Sequence, residues 1–425
     1  MSYNVFSRRI LNELNYKYVT SNRNYYPFIK ALDKVVDSMS LEDSDLLGFS
    51  VLSKSQLLPY LVLAKRIKQR YNVPIVFGGA YIKLFHKLIN LRKYKFIDFM
   101  VTSDGELAML ELVRYLEGKQ KDISRLPSIK HISNKKIVRN KEFCIDIENI
   151  PAPHYDKQRL SRVINSGPLQ LTAGMPYEIS KGCPFNCSFC SHCLLNKVQH
   201  KSIKTVIKEL QFLRRICGFN RFRFTDSNIN ANPKYLERLC DTIIKKKLNI
   251  EWVCFATPSL KLDLLEKMKK AGCFALMYGV ETGSPRINNL MKKPFSVATA
   301  ERSIKGTYLV GIKNLLEIII GFPGETTANV KETIRLIVRN RRFVNLVSMN
   351  RFQLTYNSYM YNHPNEFNIR IIGKLSKLNP DTFKFDEIKG LRWRQRIKQT
   401  KKHIKMIQRQ LGRYKIDYYY SSRTI

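Results

Sequence analysis

Cys183, Cys187 and Cys190 sit at a C-x3-C-x2-C spacing in one loop, Cys183-Pro-Phe-Asn-Cys187-Ser-Phe-Cys190. Gly182, Pro184 and Asn186 are the turn residues around them. Three thiolates on so short a loop can hold three irons of a [4Fe–4S] cube, since each corner takes one soft anionic ligand. The fourth iron then has no protein ligand and stays open to a cofactor or substrate. The competing chemistry is zinc, which wants four closed ligands in a structural site. His192 and Cys193 lie close enough in sequence to complete that set. The loop by itself leaves both open, with the weight on the cluster.

The elements that would position this loop form a regular series. An apolar segment at 177–179 leads into it, and Ser202 can cap a helix that Gly218 would end. Strands are predicted at 221–226, 251–256, 274–281, 315–320 and 346–354, and helices at 233–247, 259–271 (capped by Ser259), 298–309 and 328–339. That is about six β/α units over 177–355. A closed eight-unit barrel usually needs about 250 residues. The pattern therefore predicts an open, partial (β/α)6 TIM-like barrel over 176–355.

The front of the chain alternates in the same way. Apolar runs at 46–50, 74–79 and 96–102 are separated by helix-like stretches at 57–70 and 81–90, and a third at 107–116 follows. This predicts a truncated, parallel α/β domain of flavodoxin or Rossmann type over 46–150, preceded by a helical segment at 1–45. Ligands on such sheets bind beyond the strand carboxyl ends, here Gly78-Gly79 and Ser103-Asp-Gly-Glu106. Residues 119–170 read as a connector, with breakers at Ile150-Pro-Ala-Pro-His154 and Ser166-Gly-Pro168, so that 151–175 is a linker.

Bulk properties narrow the class. The chain has 425 residues, 44% hydrophobic and 25% charged, as in ordinary globular proteins. No apolar run reaches spanning length, and the start shows no apolar signal core, so a cytoplasmic protein is expected. Nine cysteines are too sparse for a disulfide scaffold, yet four crowd into positions 183–193. The net charge is +40. Such an excess would attract a polyanion, and a general bias towards lysine explains it equally well. The segment 356–425 is a basic C-terminal extension. From Gly390 it carries eleven Lys and Arg against one acid, Asp417. It reads as a basic helix with an extended end, and a solvated helix packed on the barrel is favoured over a polyanion or peptide contact.

With these strand ends in register, the chain resembles the radical S-adenosylmethionine enzymes over about 177–340. Cys183, Cys187, Phe189 and Cys190 match the family's C-x3-C-x2-C signature with its aromatic residue before the last cysteine. Gly279-Val-Glu281-Thr282-Gly-Ser284 resembles the family's G-x-E-[ST]-G-S strand end. Leu316-Glu-Ile-Ile-Ile-Gly321-Phe-Pro323-Gly324-Glu325 resembles the adenine-side strand and its G-x-P-G-E turn, and Asp226-Ser227 falls at the acidic strand end. The resemblance implies a [4Fe–4S] cluster on the three cysteines. It implies S-adenosylmethionine held by Phe189, Asp226, Ser227, Glu281, Thr282, Gly321 and Pro323. It also implies a 5′-deoxyadenosyl radical made with an electron from a flavodoxin or ferredoxin. Residues 46–150 are similar to the cobalamin-binding domain fused to one class of these enzymes, with a first strand missing from residues 1–45 and no histidine before His86. That likeness allows a bound cobalamin, with slightly more weight on a relic domain used for scaffolding or peptide docking.

The expected activity is modification of an unactivated carbon, by methylation or epimerisation, in a peptide or natural product. A methylthiotransferase acting on tRNA is the alternative among enzymes. A basic nucleic-acid-binding protein with a zinc loop is the alternative outside them. Residue by residue the plain readings stay open: Glu281 as a helix cap, Asp226 as a turn residue, Gly321 and Gly324 as turn glycines. Cys273 reads as a buried thiol, and Cys254, in mid-strand, is placed where it could point into the barrel.

Overall fold

The structure is a computed structural model that describes residues 26–157, 170–191, 198–375 and 381–421. His192, Cys193, Ser166-Gly-Pro168 and the first 25 residues lie outside that set. The chain divides into two compact units, residues 1–146 with 373–384, and residues 147–372 with 385–424.

Among its described residues the first unit has helix α1 (Tyr26–Asp37) and then alternates β1 (Leu47–Ser50), α2 (Lys54–Arg70), β2 (Ile75–Gly78), α3 (Ala80–Phe85), β3 (Phe99–Val101) and α4 (Gly105–Leu116). A hairpin of β4 (Ile129–Ser133) and β5 (Lys136–Arg139) follows. The sheet runs β1-β2-β3-β4-β5. Its first two pairings are parallel and its last two antiparallel. The parallel half matches the expectation. The hairpin lies in the stretch read as a connector. Its two-residue turn, Asn134-Lys135, has both residues at positive φ, which is normally the work of Asn-Gly, so the sequence signal is muted. Ser53 starts α2, and Gln56 reaches back to accept the Leu52 and Ser53 amides at 2.7 and 3.2 Å.

The second unit carries a seven-stranded parallel sheet, in the spatial order 418–421, 346–351, 313–320, 273–281, 251–256, 221–224, 175–177. Its first six strands in chain order are β6 (Met175–Tyr177), β9 (Arg221–Phe224), β10 (Glu251–Ala256), β11 (Cys273–Glu281), β12 (Lys313–Ile320) and β13 (Leu346–Arg351). These are the six expected units. An antiparallel ribbon, β7 (Ser180–Lys181) with β8 (Gln199–His200), brackets the cysteine loop. The covering helices are α5 (Ile203–Cys217), α6 (Pro233–Lys245), α7 (Leu262–Lys270), α8 (Pro285–Leu290), α9 (Val297–Leu309) and α10 (Thr327–Arg339). Ser202 caps α5 through the Thr205 amide, and Gly218 ends it at φ 70°. Ser259 does not cap α7. That helix starts at Leu262 behind Lys261, and the Ser259 amide bonds Thr257 O instead.

After β13 come β14 (Leu354–Thr355), α11 (Tyr359–Asn362), β15 (Ile369–Lys374) and β16 (Thr382–Glu387). The basic tail forms α12 (Trp393–Arg413) and then β17 (Tyr418–Ser421). The helix buries Thr400, His403, Ile404, Ile407 and Leu411. It is therefore packed on one face and solvated on the other, as favoured. Its extended end is not loose, because Tyr418–Ser421 pairs parallel with β13 as a seventh strand.

Alternation along each strand sorts the sheet into two faces. Phe222, Phe224, Trp252, Cys254, Leu276, Tyr278, Leu316 and Ile318 join the helices in one large core. Trp252 anchors it, stacked on Phe224 at 5.1 Å with its indole N–H bonded to Ala271 O at 2.9 Å. Val253, Ala275, Met277 and Leu315 form a smaller cluster on the opposite, inner face. Cys254 thus points to the helix layer and not into the barrel, and burial holds its thiol well above the usual range. The same burial applies to Cys273.

Candidate active site

Cys183, Cys187 and Cys190 are all half-buried. Gly182 enters their loop at φ 91°, a left-handed conformation suited to glycine. The Cys190 amide closes a turn onto Cys187 O at 3.0 Å. Ser188 anchors the loop, its amide donating to Met291 O at 2.9 Å and its hydroxyl to Leu290 O at 3.0 Å. Ser188 O in turn accepts from the Met360 amide at 2.9 Å.

Those bonds bring the loop to residues 290–293, and there it meets the second motif. Lys293 Nζ lies 5.7 Å from the Phe189 ring centre and 3.4 Å from Glu281 Oε1. Glu281 stands at a bulge where β11 slips against β12, and it takes φ 65°. A Cβ on Gly279 would lie 2.8 Å from the Glu281 carboxylate, so the first residue of the motif is glycine to make room for the third. Burial pushes the Glu281 carboxyl up, and Lys293 pulls it back down.

Thr282 is turned away. Its hydroxyl is 3.2 Å from Thr333 Oγ1 of α10 and accepts from the Ser284 amide at 3.1 Å. Asp226 is fully buried, with one oxygen 2.5 Å from both the Ser180 amide and hydroxyl, and the other 3.4 Å from the Ile179 amide. Its oxygens are committed to bracing the lead-in to the cysteine loop. Burial pushes its carboxyl up to about 6, against the pull of those donors. Ser227 beside it is exposed. Gly321 and Pro323 are buried in the turn that ends β12, next to β11 in the sheet. Glu325 closes that turn by accepting the Gly321 amide at 2.6 Å, and burial pushes it up to about 7.

Sequence reasoning missed the inner face. Arg223, Glu317 and Asn350 alternate with residues of the helix-side core and so face inward. Asn350 donates to Glu317 at 2.9 Å, and the Arg223 guanidinium lies 6.0 Å from the Phe255 ring centre. Burial raises the Glu317 carboxyl and lowers Arg223, and the two charges act on each other. Strand parity on 221–224 and 315–320 carries this signal. Lys293, which joins two motifs, has none.

The donor set fits a cube. Three soft sulfur donors come from one short loop that Ser188 anchors, a donor set suited to three corners of an iron–sulfur cube. A cleft of about 590 Å³ lined by Pro184, Val198, His200 and residues 231–234 also borders the loop, and neither Glu281 nor Gly321 lines it.

Residues 177–337 match the Radical SAM superfamily, and this segment is a domain of that family. The family works with a [4Fe–4S] cluster and S-adenosylmethionine. The chain is 29% identical over 304 residues to an uncharacterised methyltransferase of Pyrococcus horikoshii, covering 69% of this chain and 64% of the relative. It is 24% identical over 246 residues to an anaerobic magnesium-protoporphyrin IX monomethyl ester cyclase of Synechocystis, covering 55% of this chain and 47% of that one. In fold it is similar to the radical S-adenosylmethionine methyltransferase TsrM of Kitasatospora setae, solved with cobalamin and a [4Fe–4S] cluster. That match has a TM-score of 0.63 at 15% identity over 81% of this chain and 69% of the other. The chain spans between about half and two-thirds of the length of the curated relatives just described. Among the described residues no helix is long and apolar enough to cross a membrane.

Proposed function

We propose that the chain is a radical S-adenosylmethionine enzyme of the methyl-transferring kind, acting on an unactivated carbon of a small molecule or peptide. The observation that carries this is the Lys293 bridge. It lies against Phe189 of the cysteine loop and pairs with Glu281 at a strand end, which supports reading two motifs about ninety residues apart as one site. The names of relatives favour methylation over epimerisation.

Cys183, Cys187 and Cys190 would hold the cluster, leaving one corner for the methionyl amine and carboxylate of S-adenosylmethionine. When reduced, such a cluster supplies the electron that cleaves the sulfonium. The chain's own residues bind and orient. Glu281 and Gly321 would set the strand-end surface that receives the cofactor, with Thr282 bracing that strand end against α10. Asp226 and Ser188 hold the cysteine loop in place from behind. Arg223, Glu317 and Asn350 offer hydrogen bonds to a substrate inside the barrel. A flavodoxin or ferredoxin is the proposed electron source.

Cobalamin is proposed as a further cofactor of the first unit, bound without histidine. His86 is buried at the end of α3, with Nε2 3.3 Å from Glu142, away from the strand ends. Gly79 does not by itself mark a ligand, since a Cβ there would meet Val51 O at 2.8 Å. Lys83 and Asp104 pair at 2.6 Å between the ends of β2 and β3.

The test is anaerobic purification with iron and sulfide assay, then reduction with S-adenosylmethionine. Four irons per chain and 5′-deoxyadenosine or methylated product are expected. Zinc in place of iron would sink the reading. The absorption spectrum of the same sample decides cobalamin.

A further inference from the structure

The turn Gly321–Glu325 is held from outside the barrel. The Arg396 side chain of α12 is 3% exposed. Its Nη1 donates to Gly321 O at 3.2 Å and Phe322 O at 2.9 Å, and its Nη2 to Glu387. Glu387 in turn accepts the Gly324 amide at 2.5 Å. One helical turn beyond Arg396, Thr400 packs on Gly321, where a Cβ would come within 2.4 Å of its hydroxyl. His403 follows, with Nε2 3.1 Å from Thr327 Oγ1 at the start of α10.

This arrangement decides where the turn's peptide planes point. A trans peptide sets its C=O and the next N–H on opposite sides. Arg396 draws Gly321 O towards α12, which turns the Phe322 N–H away from the helix. Arginine's planar fork reaches the two carbonyl oxygens through one nitrogen and the carboxylate through another, in fixed directions, whereas lysine brings all its donors to one point, so the two are not equivalent here. The glycine at 321 is needed twice, for φ 86° and for the approach of Thr400. The basic face of α12 could serve a polyanion, but Arg396 and Thr400 are buried and cannot.

We propose that α12 is part of the cofactor site: Arg396 and Thr400 act as positioning residues that shape the Gly321–Glu325 turn to receive the adenosyl end of S-adenosylmethionine. This rests on the proposed function and extends it to a helix outside the family's matched segment, which ends at 337.

The experiment uses the full-length, cluster-reconstituted protein. S-adenosylmethionine binding is measured at equilibrium, and 5′-deoxyadenosine formation under reduction gives KM and kcat. Arg396→Lys keeps the charge and loses the fork. It is expected to raise KM and Kd for S-adenosylmethionine about tenfold, with kcat at saturation within about twofold. Thr400→Ile, which adds bulk without touching charge, is expected to move KM in the same direction with iron content unchanged. Wild-type affinity in folded, iron-replete forms of both variants would overturn the inference, as would loss of kcat at constant KM. If Arg396→Lys does not fold, Thr400→Ile alone decides. A wild-type protein that binds no S-adenosylmethionine would instead sink the proposed function, whatever the variants do.

Discussion

Lys293 and Glu281 form a buried ion pair, 3.4 Å apart, with side chains 9% and 12% exposed. The same ammonium lies against Phe189 and Phe295, at 5.7 and 5.3 Å from their ring centres. One cation thus faces an acid and two rings on three different segments. Removing one partner of such a pair strands the other, which costs more than removing both. Lys293→Met should destabilise the protein by about 3 kcal/mol, and Glu281→Gln added to it should recover most of that loss. Denaturant midpoints of the two single variants and the double variant test the coupling. Simple addition of the two losses would count against it.

Each cysteine of the loop is half-buried and bears little on the core. Cys183→Ala, Cys187→Ala and Cys190→Ala should each change stability by no more than about 1 kcal/mol. Each should nonetheless abolish the cluster's visible absorption and 5′-deoxyadenosine formation. A variant that keeps four irons per chain would show that its thiol is not a ligand.

Asp226 braces the loop through three donors on Ile179 and Ser180. Asparagine keeps the size but turns an NH2 group towards at least one of them. Asp226→Asn should cost about 1–3 kcal/mol and weaken iron retention on gel filtration, although Asp226 is not proposed to touch the cluster. Unchanged retention would separate Asp226 from the site.

Glu325 gives a pH dependence of definite sign. Its carboxyl rises from the ordinary 4.5 to about 7 in the fold, chiefly through burial. The folded state therefore binds the proton more tightly than the unfolded one. This group's contribution is fully present below about pH 4.5 and is lost as pH rises towards about 7. Glu325→Gln cannot ionise and can still accept the Gly321 amide. Its stability relative to wild type should grow by roughly 3 kcal/mol between pH 4.5 and 8, from about 2.5 pKa units at ~1.36 kcal/mol each. Melting curves at both pH values read this directly. A gap that does not widen would refute it.

The candidate site was legible because its signals are local. The three cysteines, the glycine and glutamate at 279 and 281, and the turn at 321–325 are each a spacing within one loop or strand end. Parity on the β-strands was local too, and would have placed Arg223 and Glu317 inside the barrel and Cys254 outside it. The hairpin at 129–139 was not legible, because Asn134-Lys135 takes a turn that glycine usually marks.

By itself the sequence determined which side chains could bind iron and a nucleoside cofactor, and that they fall at the ends of parallel strands. Only the tertiary structure decided which of them face the site. It turned Asp226 and Thr282 to bracing partners, placed Lys293 between Phe189 and Glu281, and laid α12 across Gly321. Arg396 is 75 residues from Gly321 along the chain. Contacts of that separation follow from how helices and strands pack around the core, and no local spacing encodes them.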